Sequence, residues 1–210
     1  MNKNIIITGA SRGIGRELAK IHLSNGNNVL AVSRNGEKLQ ELKIYENNSE
    51  FSFLAVDLAD FHGLNQITEI IQDWEKVDVL YNNAGLLVNK PFAKITEEDI
   101  DYSIAVNYKG PFRMIQLVLD KMNFDSHIVN ITTIGAVQGS LKFPGLAAYS
   151  SSKSGLVTLT ELLAQEFTLD QPRINVIALG AVQTEMLEEA FPGYLAPISA
   201  EKIAEYLYEF

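Results

Sequence analysis

Residues 4–15 read Asn4-Ile5-Ile6-Ile7-Thr8-Gly9-Ala10-Ser11-Arg12-Gly13-Ile14-Gly15, and the fold turns on them. A short apolar run leads straight into a glycine-rich turn, after which Ile14, Leu18 and Ile21 recur at helical spacing. The predicted unit is a buried strand, a tight turn and a helix. Glycines at 9, 13 and 15 permit positive φ in the turn and let backbone amides approach a pyrophosphate at the helix N-terminus. The same spacing also suits a turn that merely packs closely, but its place directly behind a first strand favours a dinucleotide.

The rest of the chain alternates in the same way. Residues 29–32, 51–56, 77–81, 127–131 and 174–179 read as strands. Helical patterns fill 37–45, 61–74, 97–122, 147–167 and 200–208, with a bend expected at Gly110-Pro111 where an amide hydrogen is missing. Strands that are apolar throughout and separated by helices imply a parallel sheet covered on both faces. Right-handed crossovers then give a doubly wound α/β sheet of the Rossmann type, in the order 3-2-1-4-5-6. No repeat or linker divides residues 1–210, so one domain is expected. Ligands of such sheets lie beyond the carboxyl ends of the strands, where the strand order reverses.

Composition narrows the function. A net charge of −9 argues against broad nucleic-acid binding, which needs a basic surface to displace counterions. The chain has no cysteine, hence no disulfide framework or thiolate metal site, and His22, His62 and His127 are too scattered to suggest a metal. No run approaches the roughly 20 apolar residues of a membrane span, and no signal-peptide pattern opens the chain. The expectation is a cytoplasmic protein with neither a membrane nor a nucleic-acid partner.

The end of the second strand bears on which dinucleotide is bound. It reads Val32-Ser33-Arg34-Asn35, with an arginine where an NAD-binding chain usually carries Asp or Glu for the ribose 2′-hydroxyl. A guanidinium can grip a 2′-phosphate through paired hydrogen bonds, whereas a carboxylate would repel it. Arg12, inside the glycine turn, is near enough to assist. An arginine on a loop is often only solvated, but two flanking one pocket of an acidic protein point to NADP(H).

Taken together, these motifs resemble the short-chain dehydrogenase/reductase family, and within it the 3-oxoacyl-carrier-protein reductases. The match is collinear: TGASRGIG at 8–15, Asp57 after the third strand, Asn82-Asn83-Ala84-Gly85 after the fourth, Asn107 in the long helix, Thr132-Thr133 after the fifth, and Tyr149-x-x-x-Lys153 opening the sixth helix. The resemblance implies that Gly9, Ser11, Arg12, Gly13, Ile14 and Gly15 cradle the cofactor phosphates. Ser33, Arg34, Asp57 and Leu58 would hold the adenosine half, with Asp57 accepting from the adenine amino group. Asn82, Asn83, Ala84 and Gly85 would line the cofactor and steady the central sheet. Gly180, Val182 and Thr184 would meet the nicotinamide. More local roles are open to some of these residues: Asp57 can cap the next helix and Asn83-Ala84-Gly85 can be only a turn.

Positions i and i+4 share a helix face, so Tyr149 and Lys153 point into one space. A phenol with an unperturbed pKa of about 10 exchanges protons poorly near neutrality. A nearby ammonium and a cationic nicotinamide are expected to lower it, making Tyr149 the general acid and base of a hydride transfer. By the resemblance, Lys153 also binds the nicotinamide ribose, Asn107 holds a water that relays protons to Lys153, and Thr133 orients the substrate carbonyl. Thr133 stands where the family usually has serine, and Leu179-Gly180-Ala181-Val182-Gln183-Thr184 where it commonly has Pro-Gly. The family's seventh strand has no counterpart after the last predicted helix, which would leave residues 174–179 at a sheet edge. A substrate segment at 185–198 carries Met186, Leu187, Phe191, Tyr194 and Leu195, suited to an apolar ketone or acyl chain or to a lid packing on itself. Homodimers or homotetramers through the long helices are implied. The competing function is an NADP(H)-binding regulator with little turnover.

Overall fold

The computed structural model describes residues 2–210. Six strands form one parallel sheet in the order β3-β2-β1-β4-β5-β6: β1 (Asn4–Thr8), β2 (Asn28–Ser33), β3 (Phe51–Ala55), β4 (Val79–Asn82), β5 (His127–Thr133) and β6 (Arg173–Leu179). The predicted doubly wound order is the one observed. Each crossover carries helix: α1 (Gly13–Ser24), α2 (Gly36–Gln40), α3 (Gln66–Ile70), α4 (Glu97–Ile104), α5 (Gly110–Val118) and α6 (Ala147–Glu166), followed by α7 (Glu185–Ala190) and α8 (Ala200–Glu209).

The run of isoleucines in β1 shows why these strands are apolar on both sides. Alternate side chains face opposite ways. Ile6 packs with Leu64 and Ile67, Met114 and Ile115 of α5, and Leu156 and Leu159 of α6. Ile5 and Ile7 pack instead with Leu18 and Leu23 of α1 and with Ala204 and Leu207 of α8. All three isoleucines are fully buried. Two cores, one on each face of the sheet, hold the strand ends in place.

One polar thread crosses this apolar interior. Asn82 and Asn130 are register partners on β4 and β5, and the Asn82 amide donates to Asn130 Oδ1 at 2.9 Å. Asn130 donates in turn to Thr160 Oγ1 of α6 at 2.9 Å. Buried polar groups need such partners, so the thread fastens two central strands to the helix that carries Tyr149.

The expected helices differ in detail. Residues 97–122 divide into α4, a π turn over Ala105–Lys109, α5, and a 3₁₀ turn over Leu119–Lys121. The amide of Gly110 reaches five residues back to Ala105 O, and Pro111 has no amide to give to the preceding turn. The irregularity therefore falls just ahead of the expected bend and includes Asn107. Residues 61–74 form only a 3₁₀ turn at Gly63–Asn65 and the short α3, because Asp60 takes the Gly63 amide and Thr68 bonds the Asn65 carbonyl. Residues 37–45 likewise pass from α2, capped by Asn35, into 3₁₀ geometry at Glu41–Tyr45. Val77 lies outside β4, its amide held by Lys121 O, while β5 runs on through Thr133.

Candidate active site

The carboxyl ends of the strands open into a crevice of about 840 Å³, within the range of small-molecule and cofactor sites. Its floor is the glycine turn. Gly9 and Gly13 have φ of +72° and +55°, in the left-handed region that favours glycine. A side chain on Gly9 would stand 2.8 Å from Ala84 Cα, and one on Gly15 would stand 2.5 Å from both Gly9 O and Asn83 Nδ2. Gly15 thus serves packing and does not line the crevice, whereas Gly9, Ser11, Arg12, Gly13 and Ile14 do. Arg12 precedes α1 with no side-chain cap on the helix, so its first amides remain available to an anion. The cradle is one that any Cβ would fill, and it fits a pyrophosphate.

The adenosine end gathers residues from three elements. Ser33 and Ser11 share a hydrogen bond of 2.8 Å, tying β2 to the glycine turn. Arg34 donates to Tyr102 Oη of α4 at 2.9 Å, and that phenol donates to Asp57 Oδ2 at 2.5 Å. Asp57 Oδ1 accepts the Ala59 amide at 2.9 Å, a bond within the turn after β3; the next helical turn starts behind His62, so Asp57 caps no helix, and its second oxygen faces Tyr102. Leu58 lines the same end.

The loop after β4 forms the middle wall. Asn83 donates to Thr8 O at 3.0 Å, and the Ala84 amide donates to Thr8 Oγ1 at 3.1 Å. Asn82 is fully buried and does not line the crevice; it steadies the sheet only, through Asn130. Asn107 does not line the crevice either. Its side chain is fully buried, accepts from the Leu86 amide at 2.7 Å, and donates to Leu86 O and Ser152 Oγ, both at 2.9 Å. Both amide protons are spent on the protein, so this side chain clamps the Leu86 loop to α6.

Helix α6 brings Tyr149 and Lys153 to the crevice, as their spacing predicts. Lys153 is 2% exposed, and its Nζ donates to Ile131 O at 2.9 Å and Ala84 O at 3.1 Å. Burial pushes its pKa down to about 8, so most of it still carries charge at neutral pH. Burial pushes the Tyr149 phenol up to about 12. Desolvation is the cause of this rise, and it opposes the lowering expected from nearby positive charge. Thr133 lines the crevice and accepts the Gly135 amide, whereas Thr132 spends its hydroxyl on Lys153 O at 3.1 Å.

The far wall is the segment after β6, with Gly180, Val182 and Thr184 on the crevice. Thr184 caps α7, accepting from the Leu187 amide, and its methyl lies 3.2 Å from where a Gly13 side chain would begin. Helix α7 then bends back over the glycine turn. Glu189 pairs with Arg12, and Asn89 donates to Ala190 O at 2.8 Å. Arg12 thus lines the pocket while bound to the lid. Several lining residues were missed by the sequence reading: Tyr102, Leu86, Ile134, Phe143, Leu146 and Glu189. The apolar Phe143 and Leu146 just upstream of Tyr149 were a readable signal; Tyr102 and Glu189 had none.

Comparison with known proteins agrees with this geometry. Residues 3–194 match a family model described as short chain dehydrogenase. A 3-oxoacyl-(acyl-carrier-protein) reductase FabG of Thermotoga maritima is 30% identical over 192 residues, covering 89% of this chain and 77% of that protein. The protein of that name from Staphylococcus epidermidis is 33% identical over 194 residues, covering 89% and 78%. Among solved structures, a short-chain dehydrogenase/reductase from Brucella melitensis, titled glucose/ribitol dehydrogenase, superposes with a TM-score of 0.89 at 23% identity, over 99% of this chain and 88% of that one. A metagenomic short-chain oxidoreductase in complex with NADP gives 0.80 at 28% identity, over 98% and 88%.

Proposed function

The chain belongs to the short-chain dehydrogenase family, whose members are oxidoreductases using nicotinamide cofactors, and on that premise we propose that it is an NADP(H)-dependent enzyme interconverting a carbonyl compound and a secondary alcohol. The observation that carries the reading is the convergence of Tyr149, Lys153 and Thr133 on one crevice floored by an uncapped helix N-terminus and a glycine cradle. Bound NADP(H) would supply or accept the hydride at the carbonyl carbon.

The protein supplies the rest. Gly9, Ser11, Gly13 and Ile14 would hold the pyrophosphate, and Arg34 with Ser33, assisted by Arg12, the 2′-phosphate. Asp57 and Leu58 would take the adenine, and Asn83, Ala84, Gly85, Gly180, Val182 and Thr184 the nicotinamide half. Lys153, already bonded to two carbonyls, has one ammonium proton left for a ribose hydroxyl. In reduction Tyr149 Oη gives its proton to the substrate oxygen, which the Thr133 hydroxyl steadies, and the Lys153 charge stabilises the phenolate that remains. A phenol at about 12 holds its proton at neutral pH, so the resting site is poised to act as the acid. Alcohol oxidation requires the phenolate, each unit of pKa lowering amounting to about 1.4 kcal/mol from surrounding charge.

The substrate end is apolar, with Ile134, Phe143, Leu146, Met186, Phe191 and Tyr194 on the crevice. Its cationic side chains other than Lys153, namely Arg12, Arg34 and Lys38, belong to the glycine turn and the segment after β2. This favours an uncharged ketone or the 3-oxoacyl part of a thioester, the latter in keeping with what the two FabG relatives are named for. An acidic carrier protein would need a basic docking patch; Lys109, Arg113 and Lys121 could supply one but do not line the crevice, Arg113 bonding Asn65 and Lys121 the carbonyls of Gln72 and Trp74. Recognition then falls on the acyl part. We further propose that residues 1–210 work as one domain in the cytosol and that α4, α5 and α6, where Ile100, Phe112 and Leu162 stand exposed, mediate homodimers or homotetramers. Among the described residues no helix is long and apolar enough to cross a membrane.

The test follows NADPH absorbance against a panel of ketones and 3-oxoacyl thioesters, for wild type and Tyr149→Phe. Turnover that disappears in the variant while NADPH still binds supports the reading. NADPH binding with no turnover on any substrate favours a regulator, and a preference for NADH overturns the role given to Arg34.

A further inference from the structure

At the adenosine end, a phenol stands between two charges that would otherwise meet. Resting on the NADP(H) reading above, we propose that Tyr102 is a specificity-determining positioning residue: it spaces Arg34 from Asp57, keeping the guanidinium free for the 2′-phosphate and the carboxylate free for the adenine amino group.

The nearest approach of Arg34 to Asp57 is 3.9 Å, the outer limit of an ion pair. The Tyr102 hydroxyl fills the gap, accepting from Arg34 Nη1 at 2.9 Å and donating to Asp57 Oδ2 at 2.5 Å. Burial, reinforced by the Asp57 carboxylate, raises the pKa of this phenol and keeps its proton on the bond to Asp57. Without that oxygen, nothing stands between two opposite charges already 3.9 Å apart, and they close into direct contact. A guanidinium engages a carboxylate through paired N–H bonds, and those donors are the ones a phosphate would use. Asp57 Oδ1 is already occupied by the Ala59 amide, so Oδ2 is the oxygen a direct pair would consume. With Tyr102 in place, Arg34 gives up one of its five donors and Oδ2 keeps a lone pair.

The arrangement matters because Arg34 is the crevice arginine with no carboxylate in direct contact. The end of β2 carries no acid to select a free 2′-hydroxyl, and the other arginine, Arg12, is paired with Glu189. The phenol comes from α4, 45 positions from Asp57 and 68 from Arg34, so only the folded chain brings the three together. The ring is half-buried, and removing its hydroxyl leaves its packing in place.

The experiment titrates NADPH and NADH by cofactor fluorescence in wild type, Tyr102→Phe, Arg34→Ala and the double variant. Tyr102→Phe is expected to weaken NADPH by roughly five- to tenfold, the size of one lost hydrogen bond of ordinary strength, and to weaken NADH less, through the adenine contact of Asp57 that both cofactors share. The KM for NADPH should rise in step while kcat at saturating NADPH holds within about twofold, which a general loss of structure would not produce. In the Arg34→Ala background, Tyr102→Phe should leave the NADPH/NADH ratio unchanged. The proposal is overturned if Tyr102→Phe alone leaves the wild-type ratio intact, or if the same fall appears without Arg34. A wild type that binds NADH as tightly as NADPH sinks the cofactor reading itself and this inference with it.

Discussion

Replacing Asn107 by alanine separates two roles that one residue can have in such a site. Its side chain makes three bonds, to both backbone groups of Leu86 and to Ser152 Oγ, and is fully buried. Each bond contributes about 1 kcal/mol, so Asn107→Ala should cost about 3 kcal/mol in all. For a chain of this size that lowers the melting temperature by roughly 10 °C. Leu86 follows Gly85, whose Cα faces Lys153 so closely that a side chain there would meet Lys153 Cε at 3.4 Å. A loosened loop therefore also weakens NADPH binding. Urea unfolding and thermal melts, run beside NADPH titration, measure both effects. Asn107→Asp should fall between wild type and alanine, since it can still accept the Leu86 amide but not donate. A variant that melts within about 2 °C of wild type yet loses most of its turnover would refute the clamp and return Asn107 to the chemistry.

Three further outcomes are expected. His22 is buried against Tyr81 and Tyr208, and burial lowers its pKa from 6.5 to about 3. The unfolded chain then binds the proton first, so stability present above pH 6.5 is lost as pH falls, by about 1.4 kcal/mol per unit; urea midpoints across that range should show a slope that His22→Phe flattens. Gly15→Ala forces a Cβ to within 2.5 Å of Gly9 O, and this overpacking should cost about 1–3 kcal/mol and weaken NADPH at least as strongly; unchanged calorimetric binding would show that the turn is slack. Glu189→Gln should leave the melting temperature nearly unchanged, because exposed pairs contribute about 0–1 kcal/mol, but should tighten NADPH over NADH by freeing Arg12. Unaltered affinities would remove Arg12 from the phosphate site.

Much of the architecture was legible because it rests on local signals. The β1 isoleucines, the glycines at 9, 13 and 15, and the Tyr149/Lys153 spacing each encode a backbone demand within a few residues. Errors arose where side chains compete with the backbone ladder. Pro111 and the polar residues of 61–74 convert expected α-helix into π and 3₁₀ turns. The crevice residues that escaped are those whose meaning is entirely long-range. Tyr102 reads as one more side chain on an acidic helix until Asp57 and Arg34 are brought to it. Asn82 and Asn107 were found, but whether an amide faces a ligand or the protein's own backbone cannot be read from spacing.

The amide thread between β4 and β5 has a consequence for how the chain finds its arrangement. Valines, leucines and isoleucines are nearly interchangeable against one another, and strands buried on both faces can slide along a neighbour with little change in the surface they hide. Asn82 and Asn130 cannot: displaced by one step, each would confront hydrocarbon with its polar group unmatched. The pair acts as the notch of a ruler, adding little to the depth of the energy well while making a single alignment lower than the rest. Because Asn130 reaches on to Thr160, that alignment also sets the height at which Tyr149 and Lys153 emerge above the sheet.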